Sequence, residues 1–159
     1  FLLCCPLATA QFPFNPEFIL NLPLDRISEK FDYVEDEVYI ATPVDLKARF
    51  DEIIGVTLDQ TKEIEDIYFA VRRESVDYVR TKWLHTTQIE LDSESQAMYK
   101  EKYPSLSDHT FFSIECRENE ELYARFASYA DKTVIVEPAY MREKLHERLT
   151  KAAESYKNL

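Results

Sequence analysis

The sequence predicts an α+β fold, and the clearest evidence lies in the second half of the chain. There, short β-branched or alternating runs and helical patterns follow one another as β-α-β-β-α-β, before one last helix. This order is typical of the ferredoxin-like arrangement, in which helices back an antiparallel sheet. An apolar content of 45%, with 13% aromatic residues, is sufficient for a buried core.

The first strand of this half is predicted at Ile64–Val71 because its apolar residues alternate. Those expected to face the core are Ile67, Phe69 and Val71. A short helix is predicted over 72–81 and a second strand begins at 89–91. Residues 92–108 are polar and are predicted to form a long hairpin or loop, because Pro104 disfavours a central strand.

A third strand is predicted over 109–117, with Phe112, Ile114 and Cys116 facing the core, and Asn119 is placed to cap the next helix. A β-branched strand follows at 133–136. Pro138 begins the final helix, because proline suits a first helical turn. The apolar stripe of this helix consists of Met141, Leu145, Leu149, Ala152 and Tyr156.

The first third of the chain is less regular. Residues 1–40 are predicted to be rich in β structure, and Thr42 with Pro43 begins a helix. The apolar face of that helix consists of Leu46, Phe50 and Ile53. Gly55 follows where a helix end favours a positive φ, and a boundary between two small domains is predicted near 54–62.

Composition excludes several classes of function. The net charge of −11 disfavours broad, non-specific duplex binding, which needs many phosphate-neutralising cations. Gly55 is the single glycine, so glycine-rich phosphate loops are absent. No G-x-S-x-G nucleophile motif is present either, and the sequence does not predict an enzyme.

The cysteines favour a reducing compartment. Cys4, Cys5 and Cys116 make an odd number with two adjacent members, which is a poor disulfide framework, so we expect a cytoplasmic protein. No spacing typical of zinc ligands occurs, and we expect no metal or cofactor. The apolar run over 1–10 is interpreted as part of a buried strand; a secreted lipoprotein is a more distant alternative.

Arg26 is the first candidate ligand-binding residue. It lies between Leu24 and Ile27, at the end of a predicted strand. A guanidinium there can present a planar pair of donors to a phosphate or carboxylate. The simpler alternative is a solvated arginine, or one paired with Asp25 or a nearby glutamate.

A basic cluster stands out in this acidic chain. Its members are Arg72, Arg73, Arg80, Lys82 and His85. On a helix, Arg73 and Arg80 share one face, which would suit an anionic ligand. The alternative is a solvated helix surface on which these arginines pair with Glu74 and Asp77.

His85 and Gln88 form an unusual polar pair within an apolar pattern. They follow Trp83 and Leu84, which are expected to bury the local backbone. The simpler interpretation is that the polar side chains close a buried loop by hydrogen bonds. Ligand binding by His85 and Gln88 is the alternative.

Four segments, in order, resemble WYL-domain regulators of bacterial transcription. NLPLDRI (21–27) is similar to the strand that commonly reads Y-x-L-D-R-I, and FDEIIGV (50–56) to a helix ending in F-x-x-x-x-G-V. VRTKWLHTTQ (79–88) resembles the L-H-x-S-Q run of the C-terminal extension, with Thr87 where serine is usual. Residues 134–156 resemble the closing strand, the E-P pair and the terminal helix.

The resemblance implies that residues 1–55 are a partial Sm-like, SH3-type β-barrel. Residues 56–159 would then be the extension, with the ferredoxin-like fold and its terminal helix. Phe1 would lie at the tail of the Trp-Tyr-Leu strand, with the earlier barrel strands and the usual helix-turn-helix DNA-binding domain outside this chain.

The resemblance also implies an effector-sensing and dimerisation portion of a transcriptional regulator. Its effector would be a nucleic-acid or nucleotide-like ligand, the partner in assembly a second copy, and the location cytoplasmic and not membrane-bound. Arg26 matches the arginine of the family's basic pocket, and His85 and Gln88 match the polar motif of the extension. The alternative function is a non-enzymatic protein–protein interaction module, favoured by the acidic charge and the ten Phe and ten Tyr residues.

Overall fold

A computed structural model of the chain describes residues 45–157. Contacts group the residues from Lys47 onward into one compact unit. Its strands are β1 (Ile64–Val71), β2 (Ile89–Glu90), β3 (Thr110–Arg117) and β4 (Thr133–Glu137). Its helices are α1 (Leu46–Phe50), α2 (Val76–Thr81), α3 (Ser93–Lys102), α4 (Glu120–Ser128) and α5 (Ala139–Lys157).

The described residues form an α+β fold around one antiparallel sheet of four strands. The strand order is β2-β3-β1-β4, so the two longest strands lie in the centre. Phe69 of β1 pairs with Phe112 of β3 on one side and with Ile135 of β4 on the other. The predicted class is therefore confirmed as α+β, and β1 has the predicted limits.

The main core lies between one face of the sheet and the helices α2, α4 and α5. Phe69 is fully buried there; its ring centroid lies 5.6 Å from that of Phe112 and 5.4 Å from that of Phe126 on α4. The other predicted core residues of β1 and β3 are also buried, namely Ile67, Val71, Ile114 and Cys116. Burial raises the pKa of the Cys116 thiol to about 12, so this thiol stays protonated and unreactive.

The other face of the sheet is covered by a helix that the sequence pattern did not predict. Residues 92–108 contain α3, followed by a 3₁₀ turn at Pro104–Leu106, and not the predicted hairpin or loop. Asp92 caps α3 by accepting a hydrogen bond from the Ser95 N–H at 2.8 Å. The helix buries little more than Tyr99, so its sequence carries no apolar stripe.

The terminal helix α5 packs on the core only over its first turns. Met141 and Leu145 are buried, whereas Leu149 is 38% exposed and Tyr156 is 78% exposed. Among the described residues, the first half of the predicted apolar stripe is therefore buried. The second half continues along the same side of the helix but faces solvent.

The segment after α1 turns back onto the sheet unit. The Arg117 N–H donates to the Glu52 carbonyl at 2.8 Å, and Ile53 is buried. Gly55 has the predicted positive φ, at +83°, but it lies five residues beyond the end of α1, so it is a turn residue rather than a helix cap. Thr42 and Pro43 lie outside the described residues, and the division into 1–55 and 56–159 stays a prediction.

No helix among residues 45–157 combines the length and the apolar composition that a membrane span requires. The same residues hold no group of three or more His, Cys, Asp or Glu side chains placed to bind a metal ion.

Candidate functional site: a cleft beside the α2–β2 loop

The α2–β2 loop is closed by Gln88. Its side-chain oxygen accepts from the Leu84 N–H at 2.9 Å, and its nitrogen donates to the Val79 carbonyl at 3.0 Å. Gln88 and Leu84 are both buried. These are the loop-closing hydrogen bonds that the sequence suggested, and they occupy both polar ends of Gln88.

His85 is fixed to the same loop through Thr87. Its Nδ1 lies 2.8 Å from the Thr87 hydroxyl oxygen, which in turn accepts from the Glu115 N–H on β3 at 2.8 Å. Only 7% of His85 is exposed, and its Nε2 is buried without a hydrogen-bond partner among the described residues. Burial lowers the pKa of His85, and backbone groups of Ile53 and Asp51 partly oppose that shift, so the ring is neutral near pH 7.

His85 is one of the residues that line a cleft of about 680 Å³. We call it the His85 cleft. Its walls come from the turn after α1, the α2–β2 loop and α4, which makes it a junction of three separate parts of the chain. The residues that line it are Phe50, Asp51, Ile53, Ile54, Gly55, Trp83, Leu84, His85, Thr86, Glu121, Ala124, Arg125 and Ser128.

Glu121 places a carboxylate in the wall of this cleft. Its Oε1 accepts from the Thr57 hydroxyl at 2.7 Å and from the Thr57 N–H at 3.2 Å. Its Oε2 is buried and has no hydrogen-bond partner within the described part of the chain. Burial opposes ionisation, but the hydrogen bonds from Thr57, from Glu121's own N–H and from Val56 outweigh it and lower the pKa of Glu121. The wall of the cleft therefore includes a residue with an ionised carboxylate.

Trp83 and Arg125 complete the cleft. Trp83 is 58% exposed, contrary to the expectation that it buries the local backbone, because its indole N–H donates to the Arg80 carbonyl at 2.9 Å and turns the ring outward. The Arg125 guanidinium lies 6.0 Å from the ring centre of Tyr129. An exposed aromatic ring thus lines a cleft that also includes charged side chains, an arrangement that suits a planar polar ligand.

The other predicted ligand-binding residues lie elsewhere. Arg80 donates two hydrogen bonds of 2.8 Å to Glu90 and one of 3.0 Å to Asp77, so its guanidinium joins α2 to β2. Arg73 is exposed in the turn before α2, and neither arginine lines the His85 cleft. Arg26 lies outside the described residues. Of the five predicted positions, the structure places His85 in the cleft and Gln88 in the loop that supports it.

A second depression, of about 450 Å³, lies near the end of β4. Glu137 there accepts from the hydroxyls of Tyr99 and Tyr103, each at 3.1 Å, and pairs with Lys102. The Lys102 ammonium also lies 5.5 Å from the centre of the Tyr103 ring. Because the chain's own lysine already satisfies the carboxylate and the ring, we regard this as a structural cluster.

A comparison with known families matches the part of the chain that contains the sheet and the helices packed on it. A family model described as the WCX domain matches residues 65–153, more than half of the chain. The chain belongs to the WCX domain family. This match confirms the predicted WYL-type module, since the WCX domain is the C-terminal domain of such modules.

The match begins at the second residue of β1 and ends within α5. Within the WCX domain it includes Trp83, His85 and Glu121, whereas the wall of the cleft at 50–55 precedes the matched residues. No curated protein matches the chain.

Proposed function

We propose that this chain is the effector-sensing and dimerisation portion of a bacterial transcriptional regulator, and that its effector is a nucleic-acid or nucleotide-like ligand. Two findings support the proposal: membership of the WCX family, and the His85 cleft. The observation that carries it is the exposed Trp83 ring in the wall of this cleft. Single-stranded bases stack on aromatic rings of this kind.

The proposal extends to the finer architecture. The order β2-β3-β1-β4 and the alternation of strands and helices support a ferredoxin-like domain in which α3 is an addition. The sequence resemblance supports a partial Sm-like barrel for residues 1–55. On this proposal the protein works in the cytoplasm without catalysing a reaction, and it contacts DNA through a helix-turn-helix domain outside this chain.

A binding titration tests the sensing role. We expect a labelled single-stranded oligonucleotide to raise its anisotropy saturably with added protein, and the affinity to fall with rising salt. Trp83→Ala should weaken binding by about ten-fold, since one base–aromatic stack contributes about 1–3 kcal/mol. Met98→Ala is the matched control, because Met98 on α3 is similarly exposed, at 55%, and does not line the cleft.

Arg26→Ala should be measured in the same titration. Arg26 is a candidate effector-binding residue that was predicted from the sequence alone. Weaker binding with Arg26→Ala would place part of the effector site in residues 1–55. No saturable binding at any salt concentration would overturn the sensing role.

The exposed half of α5 supports the dimerisation role. Leu149 and Tyr156 continue the stripe of the buried Met141 and Leu145 without a covering element among the described residues. A second copy presenting the same stripe would cover it symmetrically. We expect Leu149→Glu to shift the chain towards monomer in analytical ultracentrifugation, whereas Thr150→Glu, a substitution on the neighbouring exposed position, should not. A wild-type chain that stays monomeric at high concentration would overturn this role.

A further inference from the structure

We infer that the bound strand continues beyond the His85 cleft, with a second base stacked on Tyr78 and a phosphate between the two bases paired with Arg125. This inference rests on the proposed function and deepens it, because it assigns the effector a minimum length and makes it an oligonucleotide rather than a single nucleotide. It follows from the contacts that join Trp83 to Tyr78, from the exposure of both rings and from the charge of Arg125.

A chain of contacts joins the cleft to Tyr78 on α2. Trp83 and Arg125 both line the cleft. The Arg125 guanidinium lies 6.0 Å from the ring centre of Tyr129, and the centroid of that ring lies 6.1 Å from the centroid of the Tyr78 ring. We call these four residues the aromatic track. The track provides a surface on which a strand that leaves the cleft can continue.

The two ends of the aromatic track are accessible to a ligand. Trp83 is 58% exposed and Tyr78 is 57% exposed, whereas Tyr129 is only 8% exposed. The angle between the planes of the Tyr78 and Tyr129 rings is 62°, and an edge-on contact of this kind covers at most one face of the Tyr78 ring. Tyr129 therefore supports the track, while Trp83 and Tyr78 can each stack a base with little dependence on sequence.

Arg125 supplies the track with a cation that the protein itself does not neutralise. It is exposed and pairs with no carboxylate among the described residues, in contrast to Arg80, whose guanidinium binds two carboxylates. The carboxylate of Glu121, one turn earlier on α4, accepts from Thr57 instead. The Tyr129 ring attracts the guanidinium without removing its charge, and a guanidinium can bind a phosphate through two parallel hydrogen bonds. Sites for single strands combine such cations with exposed aromatic rings.

A length series measures whether the track is used. Trp83 is the single tryptophan of the chain, so quenching of its fluorescence reports occupation of the cleft by an unlabelled ligand. We would titrate the full chain with thymidine monophosphate and with a four-nucleotide oligothymidylate, and we expect the longer strand to bind at least about ten-fold more tightly. Tyr78→Ala should weaken binding of the four-nucleotide strand about ten-fold and leave the affinity for the mononucleotide unchanged.

Two variants control for indirect effects of Tyr78→Ala. Tyr78→Phe keeps the ring and should bind the four-nucleotide strand like the wild type, because stacking does not need the hydroxyl. Met98→Ala removes a similarly exposed side chain, at 55%, from α3 and should also bind like the wild type. A loss of affinity in Tyr78→Phe as large as that in Tyr78→Ala would overturn the stacking role of Tyr78.

Arg125→Gln tests the phosphate contact through its salt dependence. On a single strand, each neutralised phosphate contributes about 0.7 to the slope of log K against log salt concentration. We expect Arg125→Gln to lower this slope for the four-nucleotide strand by about 0.7. Lys100→Gln removes an equal charge from α3 and should leave the slope unchanged. An unchanged slope in Arg125→Gln would overturn the role of Arg125.

The outcomes separate this inference from the proposed function. If the wild type binds the mononucleotide as tightly as the four-nucleotide strand, the track is not used and the sensing role stands. If Tyr78→Ala and Arg125→Gln weaken self-association in analytical ultracentrifugation and leave strand binding unchanged, the track contacts a second copy and this inference is wrong. Absence of binding by both ligands would overturn the inference and the sensing role together. The length comparison uses the wild-type chain, so it does not depend on whether the variants fold.

Discussion

Glu121 and Thr57 are 64 residues apart in the chain, and one carboxylate oxygen joins them. Glu121 Oε1 accepts from the Thr57 hydroxyl at 2.7 Å and from its N–H at 3.2 Å. The connection holds the turn after α1 against α4, and this turn forms one wall of the His85 cleft. The shape of the cleft therefore depends on contacts that stabilise the turn.

Gly55→Ala should destabilise the protein and disturb this connection. Gly55 has a φ of +83°, and a Cβ atom there would lie 2.7 Å from Cγ of Glu121. Backbone strain of this kind costs about 1–3 kcal/mol, and the close contact adds to it. Urea unfolding followed by circular dichroism measures the loss. A variant as stable as the wild type would contradict the close packing of Gly55 on Glu121.

Gly55→Asn distinguishes the effect of backbone strain at this position from the effect of the close contact with Glu121. Asparagine tolerates a positive φ better than alanine does, but it brings the same Cβ atom towards Glu121. We therefore expect Gly55→Asn to be more stable than Gly55→Ala and less stable than the wild type. Full recovery by asparagine would mean that backbone strain accounts for the whole effect.

Asn119 should resist replacement even by another good capping residue. Its Oδ1 accepts from the Leu122 N–H at 2.8 Å, while its Nδ2 donates to the carbonyls of Ile54 and Thr57 at 2.8 and 2.9 Å. Asn119→Ala removes all three hydrogen bonds, and loss of the cap alone costs about 1 kcal/mol.

Aspartate at position 119 is the informative comparison. Asp normally caps a helix as well as Asn does, but here a carboxylate would face two carbonyl oxygens. We expect Asn119→Asp to be destabilised at neutral pH and to recover partly in acid, where a protonated carboxyl can donate. If Asn119→Asp were as stable as the wild type at pH 7, the hydrogen bonds that Asn119 donates to Ile54 and Thr57 would contribute nothing to stability.

The sheet could be predicted from sequence because its residues carry local signals. Ile67, Phe69 and Val71 alternate along β1 and enter the same core, and Asn119 precedes a helix whose Leu122 and Phe126 are one turn apart. Both patterns follow from the geometry of a single element. Both patterns can therefore be recognised in the sequence without knowledge of what packs against the element.

The helix α3 and the cleft could not be predicted in the same way. α3 buries mainly Tyr99, so its stability comes from the Asp92 cap and from contacts that no helical period reveals. Glu121 looks like an ordinary acidic residue of a first helical turn, and its partner Thr57 is distant in sequence. His85 stood out because a polar residue in an apolar run is a local anomaly, whereas Glu121 produced no such signal.

Gln88→Glu tests whether both ends of this side chain are needed. The new carboxylate could still accept from the Leu84 N–H, but it would face the Val79 carbonyl to which Gln88 now donates. A buried acceptor left against another acceptor costs about 1–3 kcal/mol. We expect the loss of stability at pH 7 to shrink below the pKa of the new carboxyl, as measured by urea unfolding across pH. A loss independent of pH would mean that this contact with Val79 is not the cause.

Glu118 is a buried carboxylate that three side chains stabilise. Its side chain is 5% exposed, and it accepts from Tyr123 and Lys144 at 2.6 Å and pairs with Lys62 at 2.9 Å. Burial alone would raise its pKa, but these donors outweigh burial and lower the pKa of Glu118 from 4.5 to about 2. The charged form is therefore favoured by folding.

This shift predicts how stability depends on pH. Because the pKa is lower in the folded chain, the contribution of Glu118 is complete above about pH 4.5 and is lost as the pH falls towards 2. Glu118→Gln should be less stable than the wild type at pH 7, and the difference should shrink in that window by up to about 3 kcal/mol. Glu147→Gln is the control, because Glu147 pairs with Lys151 on the surface of α5 and should change little. A gap between wild type and Glu118→Gln that stays constant from pH 7 to pH 2 would mean that the ionisation of Glu118 does not stabilise this fold.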